Sequence, residues 1–320
     1  MSAPRPRWSV WVVLVAVALA GGAVVVTVSA SSSESTDTTR ARLPSTAPAS
    51  PSTAPTTPTT VESLAEPRAQ PPVVPPVPAR QVLAAAERAA GPDMSLGVAV
   101  LDVHTGEPAV GRGGAQEFMS ASLSKLIVAV DVLDRRRAEG RPLDPADLDL
   151  IDRALSASDD NAMNALWGRH DGAGAIGRVA GRLGLTAYLP PDSTETWGDT
   201  VVTATDMVTI YRYVLRGMAP QDRAVIVDAL ASPSTVAVDG FGQHYGLLHE
   251  GASPQRYAKQ AWVPYAPAGY LLHSAGVAYD GRTGHAYAIA LLSIQPYTDE
   301  QTARDRLSTV AAAALARLTA

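Results

Sequence analysis

The chain has 320 residues, 46% of them hydrophobic, and a formal net charge of -5. That length suits one large domain or two small ones with tails. The mild acidity, with no basic run beyond Arg135-Arg136-Arg137, leaves no footprint for nucleic acid as a partner. There is no cysteine, which excludes disulfides, thiolate catalysis, Cys-based metal sites and a lipidated-cysteine anchor within these residues. The six histidines show no metal-ligand spacing, so no metal and no cofactor is expected.

Residues 8–28 carry no charge and are mostly Val, Ala and Leu, following Arg5 and Arg7. About 20 apolar residues span a bilayer as a helix, and the preceding arginines place the N-terminus in the cytoplasm and the rest outside. Two readings stay open: an uncleaved signal anchor, or a signal peptide cut after Val28-Ser29-Ala30. The product is either membrane-anchored with its domain outside, or secreted. Residues 31–78 are dominated by Ser, Thr, Pro and Ala, and cannot bury enough apolar surface to offset their ordering entropy. As an extended tether they reach on the order of 150 Å.

The folded domain is expected over 79–320. Residues 81–90 read as a helix stopped by Gly91-Pro92, and 95–103 as a strand turning at His104-Thr105-Gly106. A buried helix follows, in which Leu123, Leu126, Ile127, Val130 and Leu133 recur at helical spacing; it ends before Gly140-Arg141-Pro142. Helices are then expected over 147–155, 161–167, 171–183 with Asp171 as N-cap, 203–215 with a capping box from Thr203 and Asp206, and 221–230. After Asp239-Gly240-Phe241-Gly242 come three strands, 255–262, 270–279 and 285–294, and a closing helix over 302–318. The order implies an α+β fold of two lobes. In one, an antiparallel sheet built from both ends of the chain is covered by the first and last helices; the other is all-helical. A site is expected between the lobes.

Within the buried helix, Ser122 and Lys125 lie three residues apart and share a face. A hydroxyl beside an amine is the minimal unit for serine acylation, because a neutral amine takes the proton as the oxygen attacks. Ser-x-x-Lys alone is a weak signal. The lysine is the informative half: the chain uses 26 basic residues, of which only Lys125 and Lys259 are lysines. Arginine cannot be deprotonated, whereas a lysine serves as a base once its pKa is pushed down. Chance survival of a surface lysine is the competing reading, and the apolar neighbours of Lys125 argue against it.

With these elements in place, the sequence resembles the class A β-lactamase and penicillin-binding serine hydrolase superfamily, as a domain of an exported, actinobacterial protein. That family uses Ser-x-x-Lys, Ser-Asp-Asn and Lys-Thr-Gly. Ser122-Leu123-Ser124-Lys125 matches the first in full, and Ser158-Asp159-Asp160 matches the second with Asp for Asn. Asn164 also fits the pattern. Lys259-Gln260-Ala261 matches the third at its lysine, on the first of three strands, whereas the rival His273-Ser274-Ala275-Gly276 sits on the second and has no lysine.

The resemblance implies Ser122 as nucleophile, Lys125 as its base or proton relay, and Ser158 as the shuttle to the leaving nitrogen. Lys259 resembles the cation that holds the substrate carboxylate and keeps Lys125 from charging. Asp160, Asn164, Gln260, Ala261 and Trp262 become substrate-contacting positions, with the backbone N–H groups of Ser122 and Trp262 as the oxyanion hole. Taken alone, Ser158-Asp159 reads equally as a helix cap. Asp160 puts a carboxylate where the family has an amide, and Ala261 a methyl where it has glycine. The family's deacylating glutamate motif Glu-x-x-Leu-Asn is absent from 188–200, where Glu195 is the one glutamate and reads either as that base or as a solvated loop acid. The partners implied are a small β-lactam or a peptidoglycan peptide, with the membrane contacted through 8–28, and the chain is expected to be a monomer. The rival function is an impaired copy that binds wall peptide or a partner protein.

Overall fold

The computed structural model describes residues 74–187 and 196–319. The expectations for 8–28, most of 31–78 and Glu195 lie outside them. Among the described residues no helix is long and apolar enough to cross a membrane.

The first helix, α1 (Ala79–Ala89), leads into strand β1 (Ser95–Asp102), followed by a short partner β2 (Pro108–Val110). A two-residue strand β3 (Phe118–Met119) precedes a 3-10 turn over Ala121–Leu123, which runs directly into helix α2 (Ser124–Ala138). Helices α3 (Pro145–Ser156), α4 (Asp160–Arg169) and α5 (Gly172–Leu183) follow. After strand β4 (Val201–Val202) come α6 (Ala204–Arg216) and α7 (Pro220–Ala231). Strands β5 (Arg256–Ala266), β6 (Gly269–Tyr279) and β7 (Ala286–Gln295) and helix α8 (Glu300–Thr319) close the chain.

The main sheet is antiparallel in the order β2-β1-β7-β6-β5, so the two ends of the chain meet at β1 and β7, in register from Ser95↔Ile294 to Asp102↔Tyr287. Both faces are covered, so its strands read as nearly unbroken apolar runs. Val98, Val100, Ile289 and Leu291 point to one core with α1 and α8, while Ala99, Leu101, Ala290 and Leu292 point to the other with α2 and α6. The α+β, two-lobed expectation is met, with α1 and α8 on one face and the helical lobe on the other. The sequence reading did not include β2, β3 or β4. Strands of two or three residues carry no period.

Helix α2 is the axis of the helical lobe. From Ser124 to Leu133 every residue is buried, including Lys125 and Asp131. A helix buried all round has no solvent face to favour, and each Leu, Ile or Val in it contributes about 1.5–3 kcal/mol by burial. Local signals fix the other helices. Asp144 caps α3 ahead of Pro145, Asp171 caps α5, and Thr203 with Asp206 makes the expected capping box on α6.

His273, on β6, is fully buried. Its Nδ1 accepts the Ser293 N–H at 3.1 Å, and Nε2 lies 3.0 Å from the Met119 carbonyl, tying the sheet to the strand that precedes the 3-10 turn. Burial pushes this imidazole down to about 4, so it is neutral with the proton on Nε2. An unfolded histidine titrates near 6.5. Between about pH 6.5 and 4 the unfolded chain binds the extra proton, so stability falls as pH falls through that window. Thermal melts across it should show a falling Tm whose slope shrinks in His273→Gln; an unchanged slope would remove His273 as the source.

Candidate active site

Three segments converge at the candidate site. The 3-10 turn brings Ser122, and the first turn of α2 brings Lys125. The α3–α4 connection brings Ser158, and edge strand β5 brings Lys259. Ala121 and Ser158 both sit at positive φ, 44° and 52°. Left-handed backbone costs a non-glycine residue about 1–3 kcal/mol and persists where the surroundings hold it. Here it occurs at the residue before Ser122 and at Ser158 itself.

Lys125 Nζ lies 2.9 Å from Ser122 Oγ, 2.7 Å from the Ser158 carbonyl, 3.2 Å from Ser158 Oγ and 2.6 Å from Asp160 Oδ1. Ser158 Oγ is 3.0 Å from Ser122 Oγ. Lys259 Nζ reaches Ser158 Oγ and the Gln260 carbonyl, each at 2.9 Å. The four side chains therefore form one hydrogen-bonded chain, Ser122 between Lys125 and Ser158, and Ser158 against Lys259. Burial lowers the pKa of Lys125, and the Asp160 charge opposes it. Lys259 is held well below the usual amine range by burial first and by Lys125 second.

The two readings of Ser158-Asp159 divide between the two residues. Asp159 is the α4 N-cap, accepting from Asn161 N and Ala162 N at 2.8 and 3.2 Å while Arg153 Nε donates to it at 3.0 Å. Its neighbour Ser158 faces the lysines. Asp160 stands beside Lys125 with its side chain 62% exposed. Asn164 is near the site through another residue: its Oδ1 accepts from Trp197 Nε1 at 2.8 Å, and Lys125 Nζ sits 4.7 Å from the centre of the Trp197 ring.

Gln260 is placed differently from the expectation of a substrate contact. Its amide is buried behind the strand, donating to the Gln243 and Tyr245 carbonyls; side chains alternate along β5, so Lys259 and Ala261 share the cleft-side core and Gln260 does not. Ala261 is fully buried. The Trp262 ring stacks on Phe241 at 4.5 Å with Nε1 donating to Asp239 Oδ2 at 2.9 Å, and its centre lies 6.0 Å from Lys259 Nζ. What Gln260 brings to the cluster is its carbonyl, which accepts from Lys259 Nζ at 2.9 Å.

Three residues near this constellation had no signal in the sequence reading. Tyr211, fully buried on α6, accepts the Lys259 N–H at 3.1 Å and donates to the Ala275 carbonyl at 2.6 Å. Lys259 and Ala275 face each other across the ladder, so the hydroxyl bridges β5 to β6 at the lysine. Tyr211 falls in the apolar stripe of α6, where a sequence reader sees a core aromatic. Trp197 and Asp239 lie in loops whose path no local spacing reveals. Among the described residues no group of His, Cys, Asp and Glu is arranged to hold a metal ion.

The chain has the fold of class A β-lactamases and penicillin-binding proteins. The structure superposes on a class A β-lactamase from Bacteroides cellulosilyticus with a TM-score of 0.63 at 16% identity, covering 76% of this chain and 98% of that one. It also superposes on the TLA-3 extended-spectrum β-lactamase (TM-score 0.61, 13% identity, 74% and 98% covered) and on PBP-A in an acyl-enzyme complex with penicillin G (0.53, 17%, 75% and 97%). In sequence, the chain is 34% identical over 228 residues to the Mycobacterium tuberculosis protein described as "Putative lipoprotein LppW", covering 70% of each, and it belongs to that family. The Mycobacterium bovis relative matches equally, which agrees with an actinobacterial source. No family model matches the chain.

Tyr211→Phe leaves the buried Lys259 N–H and Ala275 carbonyl without their partner. Urea unfolding should show a loss of about 1–3 kcal/mol, larger than for Tyr213→Phe, whose hydroxyl meets part-buried Asp134. Equal losses would remove the bridging role.

Proposed function

We propose that this protein is an exported serine acyl-transfer enzyme in which Ser122 takes the acyl group of a β-lactam or a cell-wall peptide amide. The observation that carries the reading is the 2.9 Å approach of Lys125 Nζ to Ser122 Oγ, in surroundings that lower the pKa of the amine. Neutral Lys125 takes the Oγ proton as the oxygen attacks. The Oγ–C bond forms as the C–N bond breaks, and Ser158, beside Lys259, relays a proton to the leaving nitrogen. The N–H groups of Ser122 and Trp262 are assigned to the developing oxyanion.

Export is supported by the uncharged run at 8–28 and by the description of the mycobacterial relatives as lipoproteins. The present 320 residues contain no cysteine to lipidate, so attachment is assigned to the apolar run itself. A reporter active only outside the membrane, fused after Pro78, should be active; activity from a cytoplasmic reporter instead would reverse the topology.

A second reading, a binding domain without turnover, is favoured by one contact, the 2.6 Å pair between Lys125 and Asp160. A carboxylate there favours the charged amine against the effect of burial and so slows its use as a base. On the acyl-transfer reading, labelled penicillin gives a burst of about one equivalent and then slow release, because losing one general base costs about 10² to 10⁴ in rate. Rapid turnover would contradict it, and its loss in Glu195→Gln would assign the deacylating base to Glu195. No burst from a folded protein would favour the binding domain. Lys125→Arg keeps the charge and removes the base, so acylation should fall about a hundredfold or more; an unchanged rate would leave Lys125 a structural cation.

The pH dependence separates the two roles of Asp160. Acylation rises with pH as Lys125 loses its proton, through a midpoint below the ordinary amine range. Asp160 raises that midpoint, so Asp160→Asn should move the rising limb to lower pH. A limb that stays put or moves up would disconnect Asp160 from the base.

A further inference from the structure

The amine of Lys125 has oxygens on one side and an indole on another. Ser122 Oγ, Ser158 Oγ, the Ser158 carbonyl and Asp160 Oδ1 all stand within 3.2 Å of Nζ. The Trp197 ring lies over the same nitrogen, its centre 4.7 Å away. That gap excludes a water between them: a hydrogen bond to the amine plus a van der Waals contact with the ring needs on the order of 6 Å. Lys125 is fully buried, although Asp160, its neighbour at 2.6 Å, is 62% exposed by side chain. Solvent reaches the carboxylate and stops at the amine.

Trp197 is held in that position from two directions. Asp160 and Asn164 are four residues apart on α4 and share one face of it. Asp160 touches the amine, and Asn164 Oδ1 accepts from Trp197 Nε1 at 2.8 Å. One helix face therefore sets both the ion partner of Lys125 and the ring that covers it. From the other direction, Trp197 opens a 3-10 turn (Trp197–Asp199) that leads into β4. Strand β4 pairs with β3, and the Thr200 carbonyl accepts the Ser120 N–H at 2.7 Å, two residues before Ser122. Gly198 stands against the left-handed Ala121: a Cβ added there would lie 3.9 Å from the Ala121 Cα. The turn that carries the ring is thus registered on the turn that carries Ser122.

We infer that Trp197 is a positioning residue that lets Lys125 serve acylation and denies it to hydrolysis, by keeping water off the amine once Ser122 carries the acyl group. The inference rests on the acyl-transfer reading of Ser122. Hydrolysis needs a water whose oxygen bonds to the ester carbon as the Oγ–C bond breaks, one of its protons passing to Lys125 and on to Oγ. The ring occupies a side from which Lys125 could hold that water. A long-lived adduct then has a cause built into this chain, beyond the missing glutamate motif. The charged groups that act on Lys125 are Asp160, Asp239 and Asp159, with Lys259 beyond Ser158, and none of them is altered in the variants below.

The test forms the Ser122 adduct of the full-length protein with labelled penicillin and removes the free label. Loss of label and intact mass are then followed from about pH 5 to 10, which spans a depressed lysine. Trp197→Ala should shorten the adduct half-life by roughly ten- to hundredfold, at or below the lower end of what a general base supplies, because the admitted water is not held in place. The rate gained should rise with pH to a plateau as Lys125 loses its proton; exposure of the ester to bulk hydroxide would give a slope without one. Trp197→Phe restores a ring and should restore most of the half-life. Asn164→Ala removes the anchor, leaves the ring, and should shorten the half-life less, with the same plateau; it carries the test if Trp197→Ala does not fold. An unchanged half-life, a gain without a plateau, a gain that Trp197→Phe does not reverse, or rapid turnover by the parent would overturn the inference and leave the acyl-transfer reading standing. No Ser122 adduct in the parent would overturn both.

Discussion

Lys125 and Lys259 are closed off from solvent, and their amines reach the same hydroxyl, that of Ser158, at 3.2 and 2.9 Å. Two ammonium ions that close, without water, repel each other strongly, and burial penalises each of them separately. The arrangement is tolerable because the pair does not have to carry two full charges, and because Asp160 offsets one of them at the mouth. The surrounding fold keeps these serines and lysines buried. Helix α2 is buried on every side, edge strand β5 is bridged at Lys259 by the hydroxyl of Tyr211, and Ser158 is held in a left-handed conformation by the capped start of α4.

The same burial that makes an amine a base also removes it as a surface charge. A lysine committed to internal oxygens no longer advertises a cation to solvent, and the electrostatic face of the cleft passes to whatever acids stand at the rim. In this chain Asp160 stands there: it faces solvent and touches Lys125.

Much of this was legible in the sequence. Two lysines among 24 arginines marked Lys125 and Lys259, and both lie in the cluster. Helix limits were readable where a side chain caps the backbone, as at Asp171 and Thr203. Ser122 itself sits in a 3-10 turn before α2, a distinction that hydrophobic spacing cannot make because both helices share the apolar pattern there. Gln260 was out of reach for a different reason. Motif matching fixes a position along the strand, whereas the face a side chain takes depends on the pleat, and its amide goes to the loop behind. Tyr211, Trp197 and Asp239 join these neighbours only through tertiary contacts: Tyr211 is 48 residues from Lys259, Trp197 is 72 from Lys125, and Asp239 is 23 from Trp262. Local pattern carries no trace of such pairings.

The central claim is that a buried amine beside Ser122 is a base and not a structural cation. The chain offers an unusually direct measurement, because ¹⁵N-lysine labelling introduces only two Nζ signals. Their pH titration in the folded protein reads each amine directly, with Lys125→Arg assigning them. Both should lose their protons below the ordinary lysine range near 10.4, Lys259 further below it than Lys125, and the Lys125 titration should move lower still in Asp160→Asn. Two signals that remain protonated up to the ordinary lysine range would contradict the account.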